Sequence, residues 1–341
     1  MNRDPAPHRA PGETPGGAHA PFHDLTPDRI LTLLEGVGVR CDGRLLALNS
    51  YENRVYQLGL EEGGFCVVKF YRPGRWSDAA ILEEHRFVAQ LAEREVPAVP
   101  PMEIPGHGTL ACLDGQRFAV FPRQGGHAPE LDDPDTLSLM GRLIGRIHGV
   151  GATESFRHRP HLNLESFGRS ARGFLLDNHI IPAELETVYR QVVDQALAGV
   201  ERCYQRAGHV ALLRLHGDCH AGNVLWTDDG PHFVDFDDSR MGPAIQDLWM
   251  LLSGDAGSMA AQWERIREGY ETFRDFDPRE LHLIEALRTL RLIHYSAWIA
   301  QRWDDPAFPP AFPFFDSPRY WEDRILELRE QIAAMDEPPL L

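Results

Sequence analysis

Residues 213–226 read "LRLHGDCHAGNVLW". Apolar runs on both sides frame His216, Asp218, Cys219, His220 and Asn223. Polar side chains at that density destabilise a chain if they are buried without partners, so the stretch reads as a loop at the mouth of a site.

Asp218 and Asn223 are five residues apart. In phosphoryl transfer a carboxylate accepts the proton of the attacking hydroxyl, and a side-chain amide oxygen five residues later ligates Mg²⁺. Gly217 stands where the protein-kinase loop H-R-D has Arg, so the loop is not of the ordinary eukaryotic type. Downstream, "HFVDFDDSR" (232–240) reads as an apolar strand that delivers Asp235 at its end, and a hard dication on phosphates prefers such oxygen ligands. The "WTDDGP" segment between them reads as a hairpin turn that brings Asn223 and Asp235 side by side. Asp237 and Asp238 offer extra carboxylates, one of them a candidate for a second metal, but are expected to be solvated turn residues, like Asp228. Upstream, Lys69 lies on the apolar strand "FCVVKFY", where a lone cation needs a partner. Glu83 and Glu84 on the next helix are the candidates. Glu84 is preferred, because its helical neighbours Val88 and Leu91 are apolar and turn it inward.

Other readings of these residues are weaker. His216-x-Asp218-x-His220 resembles a metal site, but no further His or Cys cluster stands at ligand spacing. His216 and His148 read as packed structural histidines, and Asp247 as a brace for the loop. Cys219 lacks a companion base and is not expected to be a nucleophile.

Working outward, residues 25–38 read as a short helix capped by Thr26 with Pro27 at its first position. Two hairpins and the helix 77–95 follow, then the Gly-rich connector 124–126. Beyond it helical spacing dominates: 134–150, 182–207, 243–253, 258–273, 278–303 and 318–335, with a Pro-rich loop before the last. The expected organisation is α+β and bilobal: an N-terminal extension 1–22, disordered by composition, a β-rich lobe 23–123, and a helical lobe 124–341. Of the 341 residues 43% are hydrophobic and 25% charged, and the formal net charge of -17 argues against a nucleic-acid or anionic-membrane partner. No stretch reaches the ~20 apolar residues of a membrane span. The first 21 residues have no apolar core of a signal peptide. Five scattered cysteines fit reduced thiols in the cytoplasm. Neither a Walker A motif nor a Gly-x-Gly-x-x-Gly loop is present. "LNSYENRVYQLG" precedes Lys69 instead, and Ser50 with the backbone of 50–54 is the candidate phosphate cover.

"HGDCHAGNVLW" and "FVDFDD" resemble the catalytic loop and metal-binding strand end of aminoglycoside phosphotransferase-like kinases. Six ordered segments, "LNSYENRVYQ", "VVKFYRPGRW", "ILEEH", "RLHGDCHAGNVLW", "GPAIQDLWMLL" and "RWDDPAFP", resemble the stress response kinase A family from about residue 25 to the end. The resemblance implies a bilobal protein-kinase-like fold and a cytoplasmic, ATP- and Mg²⁺-dependent serine/threonine protein kinase that autophosphorylates. It implies Asp218 as proton acceptor, Asn223 and Asp235 as Mg²⁺ ligands, with Asp235 also an active-site residue, and Ser50 at the ATP site. By analogy with the wider kinase fold, Lys69 and Glu84 form a pair, and Phe121 to Gln124, including Arg123, meet adenine through the backbone. A monomer acting on protein hydroxyls is expected. The rivals are a kinase for amino alcohols or aminoglycosides, for which an acidic cleft lined by "HYSAWIAQRW" (294–303) would suit a cationic acceptor, a non-catalytic nucleotide-binding regulator, and a metal hydrolase.

Overall fold

Thr26 accepts a hydrogen bond from the Arg29 N–H and starts α1 (Pro27–Gly36) in the computed structural model, which describes residues 21–339. Of the expected extension 1–22 only Pro21 and Phe22 are described; the rest lies outside the described residues. The Phe22 ring lies 4.8 Å from the Arg54 guanidinium. Strands β1 (Cys41–Leu48), β2 (Arg54–Leu60) and β3 (Phe65–Phe70) form an antiparallel meander. Helix α2 (Asp78–Glu93) begins at the Ser77 cap, and β4 (Ala111–Leu113) and β5 (Gln116–Pro122) complete a five-stranded sheet of order β1-β2-β3-β5-β4. Both turn residues between β4 and β5, Asp114 and Gly115, have positive φ, the geometry of the tight hairpin turn. Leu33, Leu58, Val68, Phe70 and Phe118 bury one face of this sheet. Lys69 sits on the strand between β2 and β5, opposite Val55 and Ala119.

The helical lobe begins with α3 (Pro134–Gly151) and continues through α4 (Ser170–Asp177) and α5 (Ala183–Ala207). Strand β6 (Leu213–Leu215) leads into the loop at 216–223, and the hairpin β7 (Val224–Thr227) and β8 (Gly230–Phe233) leaves it. Strand β9 (Arg240–Gly242) pairs back onto β6. Helices α6 (Ile245–Trp249), α7 (Ala256–Tyr270), α8 (Ile284–Ala300), α9 (Phe308–Ala311) and α10 (Pro318–Asp336) follow. One apolar core joins α3, α7 and the β6–β9 region; a second joins α4, α5, α8 and α10. Helices α3 and α7 approach closely at Gly141 and Gly269, where a Cβ would stand 2.1 Å from the Ile266 carbonyl and 2.0 Å from that of Ser138.

The structure departs from the sequence reading in five places. Residues 164–169 form a π-helical turn that runs into α4, in a stretch where no helix is expected. The helix expected over 278–303 is divided: Asp277 caps a 3-10 turn, Pro278–Leu283, before α8. The helix expected over 243–253 shortens to the five residues of α6, and the Pro-rich loop contains α9. Strand β8 ends at Phe233, so Asp235 stands beyond it in left-handed conformation, φ 59°, ahead of a 3-10 turn over Phe236–Asp238. Among the described residues no helix is long and apolar enough to cross a membrane.

Candidate active site

The loop between β6 and β7 is held by its backbone. Asp247 accepts hydrogen bonds from the His216 N–H at 2.8 Å and the Gly217 N–H at 2.9 Å, and its Oδ2 also meets His148 Nε2 at 3.1 Å. His216 is fully buried; its Nε2 donates to the Val234 carbonyl at 3.0 Å, which leaves Nδ1 to accept from the Asp218 N–H at 3.4 Å. Gly217 has φ +88°, and a Cβ there would lie 2.1 Å from the Asp238 carbonyl. That contact explains why no arginine occupies the position. Cys219 is buried, and burial pushes its thiol well above the ordinary range, which disposes of a nucleophile. Asn223 Nδ2 donates to the Asp218 carbonyl at 2.9 Å, and the Val234 N–H donates to the Asn223 carbonyl at 3.0 Å. The hairpin therefore sets Asn223 beside the chain that carries Asp235.

Across the cleft, Lys69 Nζ lies 2.9 Å from Asp235 Oδ1, and 4.0 Å from both Glu84 Oε1 and Asp237 Oδ1. Burial alone would discharge this lysine, but Asp235, Asp237 and Glu84 outweigh it and keep it protonated. Glu84 is itself buried against Lys69 and Arg159, and burial raises its carboxyl to about 7. Its neighbour Glu83 faces elsewhere and accepts the backbone N–H groups of Arg157 and His158 at 2.7 and 2.8 Å. Asp237 is not the solvated turn residue expected, and Asp238 keeps 37% of its side chain exposed but is ion-paired. Asp237 is 3% exposed, and both pair with Arg75, which reaches over from the segment after β3; Asp238 also pairs with Arg240.

In the glycine-poor loop, Ser50 Oγ donates to the Asn53 carbonyl at 3.2 Å, and Asn53 Oδ1 accepts from the Arg72 N–H. Glu52 lies at the centre of an ion-pair cluster, 2.7 Å from Arg302 and 3.1 Å from Arg72, and accepts from Trp298 Nε1 at 2.5 Å. Asp305 pairs with Arg54 at 3.0 Å and Arg72 at 2.6 Å. Helix α8 and the segment after it thus pin the loop over the cleft, which the sequence reading missed. "RWDDPAFP" and "FYRPGRW" carried the signal as family segments without a role attached to them. Phe121 is half-buried with its ring 5.8 Å from Lys69 Nζ; Arg123 is exposed and donates to Gln57.

A further residue missed from sequence is Arg291 on α8. Its Nη1 donates to Asp218 Oδ1 at 2.7 Å, while His220 Nε2 stands 3.5 Å from Asp218 Oδ2. Burial raises the Asp218 carboxyl, but His220 and Arg291 prevail and hold it below the usual aspartate value. Around the cleft, Glu52, Asp218, Asp237, Asp238 and Asp305 each face an arginine, which offsets part of the negative charge that a cationic acceptor would meet.

The oxygen donors suit a hard dication held mainly by phosphates and water. Asp235 is 54% exposed on its side chain, and the Asn223 amide donates through its nitrogen to the Asp218 carbonyl, so its Oδ1 could serve as an oxygen donor. Asp237 Oδ1 is buried without a hydrogen-bond partner close behind. Among the described residues no cluster of three or more His, Cys, Asp or Glu forms a self-contained metal cage, as the hydrolase rival would need.

The profile of the phosphotransferase enzyme family matches residues 44–284. The chain is 46% identical to stress response kinase A of Escherichia coli strain K12 over 94% of its own length and 96% of the relative's. It belongs to this kinase family. The serine/threonine protein kinase RdoA of Salmonella typhimurium is 44% identical over the same shares. Among solved structures, an amicoumacin kinase in complex with AMP-PNP, Ca²⁺ and Ami superposes with a TM-score of 0.71 at 18% identity, covering 92% of this chain and 95% of that one. The fold is therefore the bilobal α+β phosphotransferase fold, and the family assignment makes the chain a kinase.

Proposed function

We propose that this kinase transfers the γ-phosphate of ATP, with Mg²⁺, to serine or threonine hydroxyls of proteins, its own chain included. The observation that carries the transfer chemistry is the convergence of Lys69, Asp218, Asn223 and Asp235 on one cleft from β3, the β6–β7 loop and the turn after β8. The protein acceptor is supported by the relatives named above, which span nearly the whole chain.

In this reading Asp218 orients the acceptor hydroxyl and takes its proton. Its lowered carboxyl is ionised at neutral pH, ready for that role. Lys69 engages the nucleotide phosphates, with Glu84 behind it. Ser50 and the backbone of residues 50–54 cover the phosphates, and the segment from Phe121 through Arg123 to Gln124 meets adenine through its backbone. Asn223 and Asp235 would hold Mg²⁺, which supplies neutralisation of phosphate charge. The lobe boundary at residues 123 and 124 then coincides with the nucleotide site. The protein works as a monomer in the cytoplasm.

The test is transfer of labelled γ-phosphate from Mg-ATP by wild type and Asp218→Ala, each alone, with generic acidic and basic proteins, and with amino alcohols and aminoglycosides. Label on protein with wild type only, and nucleotide binding retained in the variant, is the expected result. Label confined to small molecules would overturn the protein acceptor and move the activity to the alternative, a small-molecule kinase.

A further inference from the structure

Arg291 blocks one oxygen of the residue that must receive the acceptor hydroxyl. Its Nη1 lies 2.7 Å from Asp218 Oδ1, and the side chain is 45% exposed, so nothing locks it there. Asp218 keeps only 23% of its side chain exposed, and His220 stands at its other oxygen. An acceptor hydroxyl therefore reaches Asp218 Oδ1 when the guanidinium turns aside. A carboxylate beside that hydroxyl gives the guanidinium a second, bidentate partner, whereas an ammonium in the same place meets a like charge.

The surroundings work in the same direction. Two carboxylates near the cleft already have cationic partners: Glu52 has Arg302 and Arg72, and Asp238 has Arg75 and Arg240. One turn along α8, Tyr295 is 37% exposed and stacks on Trp298, with Tyr51 of the phosphate-covering loop packed on Phe312 near by. These rings give a peptide acceptor an apolar surface to lie on, while discrimination by charge falls to Arg291, since aromatic faces by themselves attract cations.

We propose that Arg291 selects the acceptor, drawing in hydroxyls flanked by a carboxylate, as in an acidic peptide segment, and turning away cationic ones. The inference rests on the protein-acceptor reading above. Arg291 is a specificity residue and does not itself take part in the transfer.

The experiment measures kcat and KM for serine peptides of one backbone with acidic, neutral or basic residues next to the serine, using the full chain. Wild type, Arg291→Ala and Arg291→Glu are compared, with aminoglycosides as a further arm. Wild type is expected to favour the acidic peptide over the basic one by about tenfold or more in kcat/KM, equivalent to ~1.4 kcal/mol. Arg291→Ala should erase that ratio mainly through KM for the acidic peptide, and Arg291→Glu should reverse it. Peptide transfer without an acidic preference, or with a preference that survives Arg291→Ala, would overturn the inference and leave the protein-kinase reading standing. Label confined to aminoglycosides would overturn both.

Discussion

Lys69 and Asp235 meet across the cleft at 2.9 Å although 166 positions separate them. A metal–nucleotide complex competes for both partners: the phosphates for the ammonium, the cation for the carboxylate. Asp235→Asn should therefore bind ATP with little dependence on Mg²⁺, and Lys69→Met should bind Mg-ATP at least tenfold more weakly, a loss of ~1.4 kcal/mol. Calorimetry with and without Mg²⁺ reads both, and an unchanged magnesium response in Asp235→Asn would remove that residue from the metal site.

Asp247 gathers two backbone N–H groups of the loop that carries Asp218, and the ring of His148, in a fully buried place. Asp247→Ala leaves both N–H groups buried and unpaired, at roughly 1–3 kcal/mol each. The expected result is a melting temperature lower by roughly 5 °C or more, together with a large fall in kcat. Asp247→Asn keeps one acceptor oxygen and should fall between the two. A normal kcat in Asp247→Ala would show that the loop holds its shape without the brace.

Glu52 joins the phosphate-covering loop to Arg302 and Trp298. Removing it leaves the buried Arg302 guanidinium without its counter-charge, while Arg72 keeps Asp305, a loss of up to about 3–5 kcal/mol in such settings. In Glu52→Ala, amide exchange across residues 49–54 should accelerate at least tenfold while exchange in α5 stays close to that of wild type. Unchanged protection of the loop would mean that Asp305 and its arginines suffice to hold it.

Glu280 is buried, and burial raises its carboxyl to about 7 although it accepts the Ile245 N–H at 2.8 Å. The folded state therefore binds this proton more tightly than the unfolded one, and stability falls as pH rises from about 4.5 through 7. The rise corresponds to roughly 3 kcal/mol at alkaline pH. Glu280→Gln keeps the acceptor without the charge, so its melting temperature should exceed that of wild type at pH 8 and approach it at pH 5. Parallel curves for the two proteins would place the titration elsewhere.

The fold class was legible because its indicators are local. Alternating strands, the Thr26 and Ser77 caps, and the Asp114-Gly115 turn each act within a few residues. The positions of Asp218, Asn223 and Asp235 were legible for the same reason, since one loop and one hairpin span them. Arg75, Arg291 and Glu52 were not. Their partners lie 162, 73 and 246 positions away in Asp237, Asp218 and Trp298, and no periodicity reports such a meeting. Asp237 looked solvated because a turn of charged residues usually is; an arginine from the other lobe made it interior and drew Asp238 into the same pairing. The division at Leu283 was hidden because the apolar spacing runs on unbroken through Ile284.

Gly217 separates this loop from that of the animal-type protein kinases more firmly than one letter suggests. With the Asp238 carbonyl pressed against its α-carbon, the turn over Phe236–Asp238 is seated in the space an arginine side chain would need. A lineage cannot drift from H-G-D to H-R-D one substitution at a time, because the first step dislodges the aspartates that Arg75 and Lys69 hold. In this chain the loop and the turn over Phe236–Asp238 are fixed against one another, and an arginine at 217 would require both segments to change together.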